Sequence, residues 1–249
     1  MRTQIKTQAE IQSMRHSGRI LAEILQELKQ ATVVGMPTEE FDRLAREALH
    51  KRRAKAAFLN YNGFPATICV SINDEIAHGI PGPYELQEGD LVHLDFGVIW
   101  DGMITDAGLS FILGEATADQ KRLLTGAEKA LYAGIEQVKD GVRVGDIGSA
   151  IEKVLLAHKL AVVYELGGHG VGHQVHEDPY IPNFGSAGTG EALRAGMTVA
   201  IEPNVSLSGH DMHLLKNGWT WSTKSGALAC QFEHTVLVTE SGYEILTSL

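Results

Sequence analysis

The sequence predicts an α/β (α+β) fold made of two similar halves, in which strands form a central sheet and helices pack on one side of it. Two observations carry this prediction. Amphipathic helices and strands follow one another in the same order over residues 7–113 and again over residues 117–249. Acidic residues also interrupt the strands at matching places in the two halves. We therefore interpret residues 1–249 as one domain with an internal duplication.

The composition excludes several classes of protein. The chain has 249 residues, of which 44% are apolar and 21% charged, as in an ordinary globular protein. No run of about 18 apolar residues occurs, so no membrane partner is expected. A formal net charge of −10 argues against nucleic acid as a partner. Two cysteines are too few for a disulfide framework, which together with the missing signal peptide favours the cytoplasm.

Two helices are expected at the start of the first half. Thr7 and Glu10 have the spacing of a capping box, and apolar residues recur behind them at helical intervals to about Lys29. A second helix is expected to begin near Thr38 and to bury Phe41, Leu44, Ala48 and Leu49. The basic cluster "HKRRAK" that follows is interpreted as the solvated end of this helix.

The second half repeats this order. Thr117 and Gln120 form another capping box, from which a long helix is expected to run to about Val138. The segment "VGDIGSAIEKVLLAHK" predicts the next helix. Gly141 stands in the joint between these two helices, much as Gly35 stands in the joint of the first pair.

The strands of the two halves also match in their polar residues. The segments "HGIP" and "HEDP" share His-x-x-Pro, "LQEGDLVHLD" aligns without a gap on "LRAGMTVAIE", and "DAGLSFIL" resembles "EHTVLVTE". Each half thus contributes a histidine, an acid that ends a strand and an acid that begins one. In chain order these are His78, Asp95 and Asp106, then His176, Glu202 and Glu233.

A hairpin signal shows how the first two acids could meet. Asp101-Gly102 is a strong two-residue turn, and folding the strands about it places Gly97 opposite Asp106. Asp95 then points to the same face, roughly 7–8 Å away at the backbone. Like charges on a partly buried face repel each other unless a cation lies between them. The pattern favours two metal ligands over the alternative, in which one aspartate caps a turn and the other faces water.

The segment "GGHGVGHQVHEDP" contains His169, His173 and His176. Their spacing fits one face of a helix, but the four glycines among them favour a strand or loop. Alternation in a strand would put His169 and His173 on one side and His176 on the other, unless a bulge intervenes. The spacing leaves this open. Three other histidines are interpreted as structural: His50, His158 and His210.

Four carboxylates and one imidazole fit a dinuclear site of transition metals. The set is rich in oxygen and lacks thiolate, unlike a structural zinc site or a calcium loop. Because such a site lowers the pKa of a bridging water, hydrolysis is the natural reaction class. The remaining histidines, His78 and His176, can donate hydrogen bonds to a scissile amide.

With these residues assembled, the sequence closely resembles the type I methionine aminopeptidases over nearly its whole length. The resemblance lies in "HGIP", "LDFGVIWDGMITDAG", "GHGVGHQVHEDP", "AIEPNV" and "QFEHTVLVTESGYEILT". It implies the pita-bread fold, with a pseudo-two-fold duplication and a curved, antiparallel-rich central sheet. It also implies removal of the initiator methionine from nascent chains whose second residue is small.

The resemblance implies a role for each matching residue. The ligands of two divalent ions would be Asp95, Asp106, His169, Glu202 and Glu233. Asp106 and Glu233 would bridge both ions, and Glu202 would also handle the proton of the attacking water. His78 would contact the scissile amide and His176 its carbonyl oxygen. Co, Mn, Fe and Zn all tolerate such ligands, so the sequence leaves the metal open.

Four residues match the pocket that receives the methionine side chain in that family: Tyr61, Phe64, Cys69 and Trp219. A thioether suits an apolar, aromatic lining, although these residues taken alone also fit ordinary core packing. Phe58 and Val175 depart from the family's usual residues, which affects fine specificity and inhibitor profile. The expected partners are nascent polypeptide N-termini, with a transient ribosome contact, and the expected state is a monomer.

Type I is indicated because no large insertion stands between His169 and Glu202.

Two alternatives to a methionine aminopeptidase remain. A proline-specific peptidase of the same fold would usually carry an extra N-terminal domain and would prefer Ala-Pro to Met-Ala-Ser. A binding protein that kept the fold and lost catalysis would bind peptides without releasing product, although such proteins tend to lose ligands and all five are present here.

Overall fold

The computed structural model describes residues 5–249, so the first four residues of the predicted 1–249 domain lie outside it. The helices are α1 (Gln8–Ala31), α2 (Glu39–Arg52), α3 (Ala118–Ile135) and α4 (Val144–Ala157), with a short 3-10 helix at Tyr61–Gly63. The strands are β1 (Lys55–Ala56), β2 (Cys69–Ile72), β3 (Glu75–Ala77), β4 (Leu91–Trp100), β5 (Met103–Ile112), β6 (Ala161–Val162), β7 (Gly167–Gly170), β8 (Glu177–Pro182), β9 (Thr198–Ile201), β10 (Asn204–Ser206), β11 (Met212–Leu214), β12 (Trp221–Thr223), β13 (Ala229–Gln231), β14 (His234–Val238) and β15 (Tyr243–Ile245).

Both predicted capping boxes are present. The Thr7 hydroxyl accepts the amide of Glu10 at 3.3 Å, and the Glu10 carboxylate accepts the amide of Thr7 at 2.7 Å. Thr117 and Gln120 make the same reciprocal pair at the start of α3. Each box satisfies amides that the first turn of a helix leaves without intrahelical partners.

The structure corrects the predicted C-terminal ends of α3 and α4 and the predicted burial of one residue in α2. Helix α3 ends at Ile135 instead of Val138, because the chain tightens there into i to i+3 hydrogen bonds. Helix α4 ends at Ala157, because Lys159 adopts a positive φ of 53°. In α2, Leu44 is only partly buried and the neighbouring Ala45 is fully buried in its place.

The strands form two main antiparallel sheets. In the first, β4 pairs with β5 along one edge and with β1 and β2 along the other. The second has the order β15-β14-β9-β7-β8. A bridge between Gly108 and Glu233 joins the two. The central sheet expected from the sequence is therefore assembled from two hydrogen-bonded parts, flanked by the small sheets β13-β10-β6 and β11-β12-β3.

The β4–β5 hairpin has the predicted register. Gly97 pairs with Asp106 and Trp100 with Met103. Asp101 and Gly102 in the turn both have positive φ, 49° and 77°, as the favoured two-residue hairpin turn requires. This register decides which side chains of the two strands share a face.

The helices cover one face of the sheets. Val92, Leu94 and Phe96 of β4 are buried in a core with apolar residues of α1 and α2. Val199 and Ile201 of β9 are buried in a second core with α3 and α4. Alternation along β4 and β5 leaves the opposite face, which carries Asp95 and Asp106, turned away from the helices. Among residues 5–249, no helix is long and apolar enough to cross a lipid bilayer.

The joints between the helices match in the two halves. Gly35 and Gly141 have φ values of 82° and 81°. Their amides donate to equivalent carbonyls, Gly35 to Leu86 at 2.7 Å and Gly141 to Leu193 at 2.9 Å. We propose that the duplication of residues 7–113 in residues 117–249 accounts for this match.

Candidate metal centre

A cavity of about 260 Å³ opens on the sheet face away from the helices, where the two main sheets meet. All the site residues predicted from the sequence line this cavity, although they come from both halves of the chain. They are Tyr61, Phe64, Cys69, His78, Asp95, Asp106, His169, His176, Glu202, Trp219 and Glu233. The three histidines interpreted as structural, His50, His158 and His210, are absent from this lining.

The five predicted metal ligands form one contiguous group. Ligand atoms of Asp106, His169 and Glu233 lie within 4.8 Å of one another. The carboxyl groups of Asp95 and Asp106 lie close enough to repel each other when ionised. The Nε2 atom of His169 lies 3.5 Å from Oε1 of Glu202. The hairpin supplies the two aspartates, and the Gly108–Glu233 bridge brings the second half of the chain against them.

The carboxyl groups of this cluster are held in a setting that opposes ionisation. Burial raises the pKa of Asp95 to about 7 and the pKa of Glu202 to about 8. Burial, followed by repulsion from the neighbouring carboxylates, raises the pKa values of Asp106 and Glu233 well above their usual range. Like charges packed in this way need protons or a cation between them.

Unpaired oxygens show that this cluster fits a cation. Asp95 Oδ1, Asp106 Oδ1 and Glu233 Oε1 are buried and have no hydrogen-bond partner among residues 5–249. A buried polar atom without a partner is costly, and carboxylate oxygens are good ligands for divalent metals. The donor set of four carboxylates and one imidazole therefore suits divalent cations better than protons alone.

A backbone hydrogen bond fixes the orientation of the His169 ring. Its Nδ1 lies 2.9 Å from the carbonyl oxygen of Gly170, so the ring donates there and keeps its Nε2 lone pair on the carboxylate side. Burial, and then the neighbouring His176, lowers the pKa of His169 to about 3. The imidazole is consequently neutral, which is the form that binds metals.

Two amide side chains in the site were not found by the sequence reasoning. Gln231 Nε2 donates to Glu202 Oε2 at 3.0 Å and to Glu233 Oε2 at 3.2 Å. Asn204 Nδ2 donates to the same Glu202 oxygen at 2.9 Å. Gln231 lies two positions from Glu233 and Asn204 two positions from Glu202, and this spacing is the one signal that could have indicated the amides.

His176 lies beside the cluster. Its ring centroid is 4.2 Å from that of His169, and its Nδ1 is 2.9 Å from the hydroxyl of Tyr61. His78 lines the same cavity and has a positive φ of 56°. Burial lowers the pKa of both His78 and His176, so both rings are neutral near pH 7.

The question left open about the three spaced histidines is resolved by the backbone. The β7–β8 pairing shifts register between His169 and Gly170, and strand β7 ends there. The following loop returns His176 to the side of His169. His173 instead points to Glu10 at the start of α1, with its Nε2 2.8 Å from the Glu10 carboxylate.

The apolar part of the cavity is largely aromatic. Phe64 and Trp219 meet edge to face with centroids 5.2 Å apart. Cys69 is buried in the wall, and burial raises the pKa of its thiol well above the usual range, so it remains neutral. Phe58 and Val175, the two departures noted in the sequence, both line this cavity and therefore affect its shape.

The sequence model of metallopeptidase family M24 matches residues 12–240, which is nearly the whole chain. The chain belongs to metallopeptidase family M24. As a member of this family it is a hydrolase that uses divalent metal, which confirms the reaction class and the cofactor class expected from the carboxylate cluster.

Individual proteins are similar to this chain over nearly its full length. The methionine aminopeptidase of Clostridium perfringens is 40% identical over 243 residues, 98% of each chain. Methionine aminopeptidase 1 of Bacillus subtilis is 40% identical over 242 residues, 97% of this chain and 98% of its own. The crystal structure of a methionine aminopeptidase from Thermotoga maritima superposes with a TM-score of 0.97 at 39% identity, covering 99% of this chain and all of that one. These matches confirm the resemblance and the pita-bread fold.

Proposed function

We propose that this M24 metallopeptidase removes the N-terminal methionine from nascent polypeptides and favours a small second residue. One observation carries the proposal: a single cavity joins an apolar, aromatic wall to the carboxylate and imidazole cluster. The wall suits a thioether, and the adjacent cluster suits hydrolysis of the first peptide bond. The full-length similarity to bacterial methionine aminopeptidases supports the same substrate.

Two divalent cations would be held by Asp95, Asp106, His169, Glu202 and Glu233. The unpaired oxygens of three of these residues support this ligand set. A bound divalent cation supplies polarisation of the scissile carbonyl and a lowered pKa for an attacking water. Mn, Fe, Co and Zn are all compatible with oxygen and imidazole donors.

Glu202 is proposed to accept a proton from the attacking water. Its Oε2 is occupied by the amides of Asn204 and Gln231, whereas Oε1 faces His169 across 3.5 Å. The Oε1 atom can therefore take the proton and pass it to the leaving amine. In the metal-free protein burial raises the pKa of Glu202 to about 8, so this buried carboxyl group is one that readily holds a proton.

His78 and His176 are proposed to donate hydrogen bonds to the scissile peptide group. The Tyr61 hydroxyl lies 2.9 Å from Nδ1 of His176, and burial raises the pKa of Tyr61, so this hydroxyl keeps its proton. If Tyr61 donates to Nδ1, the ring proton of His176 is on Nε2. That N–H can then stabilise the carbonyl oxygen as negative charge develops.

The methionine side chain would lie against Tyr61, Phe64, Cys69 and Trp219. The protein would act as a monomer in the cytoplasm, with a transient contact to the ribosome as chains emerge. The two cysteines support a reducing compartment, because both are buried as free thiols.

The test is metal-dependent hydrolysis of Met-Ala-Ser by protein prepared without metal. Titration with Mn(II) or Co(II) should restore release of free methionine, with Ala-Pro cleaved far more slowly. The reverse preference would favour a proline-specific peptidase. Metal binding with the peptide left intact would favour a binding protein that has lost catalysis.

A further inference from the structure

The loop that carries His176 is closed by a buried ion pair with the start of the chain. Lys6 Nζ lies 2.6 Å from Oε2 of Glu177, and the two side chains are 0% and 4% exposed. Burying both partners of an ion pair costs several kcal/mol per ion, so such a pair is weak as a source of stability alone. Its location, directly after His176, suggests a different use.

The second carboxylate oxygen of Glu177 fixes the loop backbone. Oε1 accepts the amide of His173 at 2.6 Å and the amide of Gln174 at 3.1 Å. A single carboxylate therefore holds two amides of the loop and one ammonium group. Because Glu177 is also the first residue of β8, these bonds fix the turn that ends at His176.

Lys6 reaches this carboxylate across Gly172. A Cβ atom at Gly172 would lie 2.4 Å from Cε of Lys6, so the lysine stem fills the space that a side chain would take. The carbonyl of Gly172 in turn accepts the amide of Ile104 at 2.7 Å, two residues before Asp106. The backbone amide of Lys6 donates to Gly196 at 2.9 Å, which anchors the lysine itself.

We propose that Lys6 and Glu177 are positioning residues for His176. They hold the 171–176 loop in the conformation that places the His176 ring beside His169 and against the Tyr61 hydroxyl. The proposal rests on the catalytic role of His176 stated above. It assigns a part of the active-site framework to Lys6, which precedes the first helix.

The test is a double-mutant cycle between Lys6→Met and His176→Ala. Lys6→Met should lower kcat for Met-Ala-Ser about 10- to 100-fold, as losing a supporting contact to a functional side chain typically does. KM and metal content should change little. In the His176→Ala background the same substitution should cause no further loss, because the lysine acts through that ring.

Glu177→Gln provides a second variant that keeps an oxygen for the loop amides. Alone it leaves the Lys6 ammonium buried and unpaired, so kcat should fall. The double variant Lys6→Met/Glu177→Gln should have a higher kcat than Glu177→Gln, because it leaves no buried charge without a partner. Each variant is checked by thermal melting, so that a loss of rate is scored only for folded protein.

A matched control is available on α1. Arg15 pairs with Glu244 at 2.6 Å, with side chains 36% and 38% exposed, and ties the same helix to β15. Arg15→Met should leave kcat unchanged. The positioning role is rejected if Lys6→Met has the wild-type kcat, or if it lowers kcat equally in the presence and absence of His176. Neither result affects the proposed function. Full turnover in His176→Ala would instead reject the proposed role of His176, and the positioning role with it.

Discussion

Gly97 lies directly opposite Asp106 in the β4–β5 hairpin, and the Phe58 ring fills the space that a side chain at Gly97 would take. A Cβ atom at Gly97 would lie 2.8 Å from Cε1 of Phe58 and 2.8 Å from Cβ of Ala57. Phe58 also lines the cavity. The same strand position therefore lets Phe58 pack opposite Asp106 and sets how far its ring enters the pocket.

Gly97→Ala should move the Phe58 ring into the cavity. We expect a several-fold increase in KM for Met-Ala-Ser with metal content unchanged, and overpacking should cost about 1–3 kcal/mol of stability. Steady-state kinetics and thermal melting measure the two effects. Gly242→Ala is the control, because a Cβ there meets nothing within 4 Å. An unchanged KM in Gly97→Ala would show that Phe58 does not limit the pocket.

Asp106→Asn should release metal and abolish turnover. The substitution keeps the size of the side chain but removes one of the negative charges that offset a cation in a buried cluster. Metal content after dialysis and release of methionine are the readouts. His78→Ala is the comparison, since His78 is placed outside the ligand set and should retain metal while losing rate. Asp106→Asn with normal metal content would contradict the proposed ligand set.

Gln231→Leu tests a residue that hydrogen-bonds to two of the proposed ligands. Gln231 donates to both Glu202 and Glu233 from a nearly fully buried position. Losing such an orienting contact should weaken metal binding about 10- to 100-fold, measured by calorimetric titration with Mn(II). Gln120→Leu is the matched control, because Gln120 is a buried glutamine that donates to the carbonyl of Gly89, away from the site. Equal metal affinities in the two variants would remove this role from Gln231.

The parts of the site that the sequence predicted best are those fixed by local rules. The Asp101-Gly102 turn and the two-residue period of a strand determine the whole hairpin register, and with it the shared face of Asp95 and Asp106. The position of His176 could not be predicted in this way. It depends on a register shift at Gly170 and on the ion pair between the neighbouring Glu177 and Lys6, which is far away in sequence. Neither follows from spacing alone.

The supporting amides escaped prediction for another reason. A glutamine or asparagine on a buried strand has no sequence pattern of its own, and only its distance of two residues from an acid marks it.

The C-terminal ends of α3 and α4 were predicted two or three residues too late. Lys159 and the turn after Ile135 leave the helical conformation, although the apolar periodicity of the sequence continues.

The effect of metal on stability should depend on pH. In the metal-free protein, burial raises the pKa of Asp95 to about 7 and the pKa of Glu202 to about 8. Ordinary values in unfolded chains are about 4, so the folded protein binds these protons more tightly. The stability that these protonated groups contribute is therefore fully present below about pH 4 and is lost as pH rises through about 7 to 8.

Divalent cations bind the ionised carboxylates, so they must displace the protons of this cluster, and fewer of these protons are bound at pH 8 than at pH 6. The increase in Tm on adding a fixed concentration of Mn(II) should accordingly be larger at pH 8 than at pH 6. Differential scanning calorimetry of the metal-free and Mn(II)-loaded protein at both pH values measures this difference. The Asp95→Asn/Glu202→Gln variant lacks two of the proposed ligands, so Mn(II) should raise its Tm little at either pH value. An equal or larger increase in Tm at pH 6 would mean that protons do not compete with metal at this cluster.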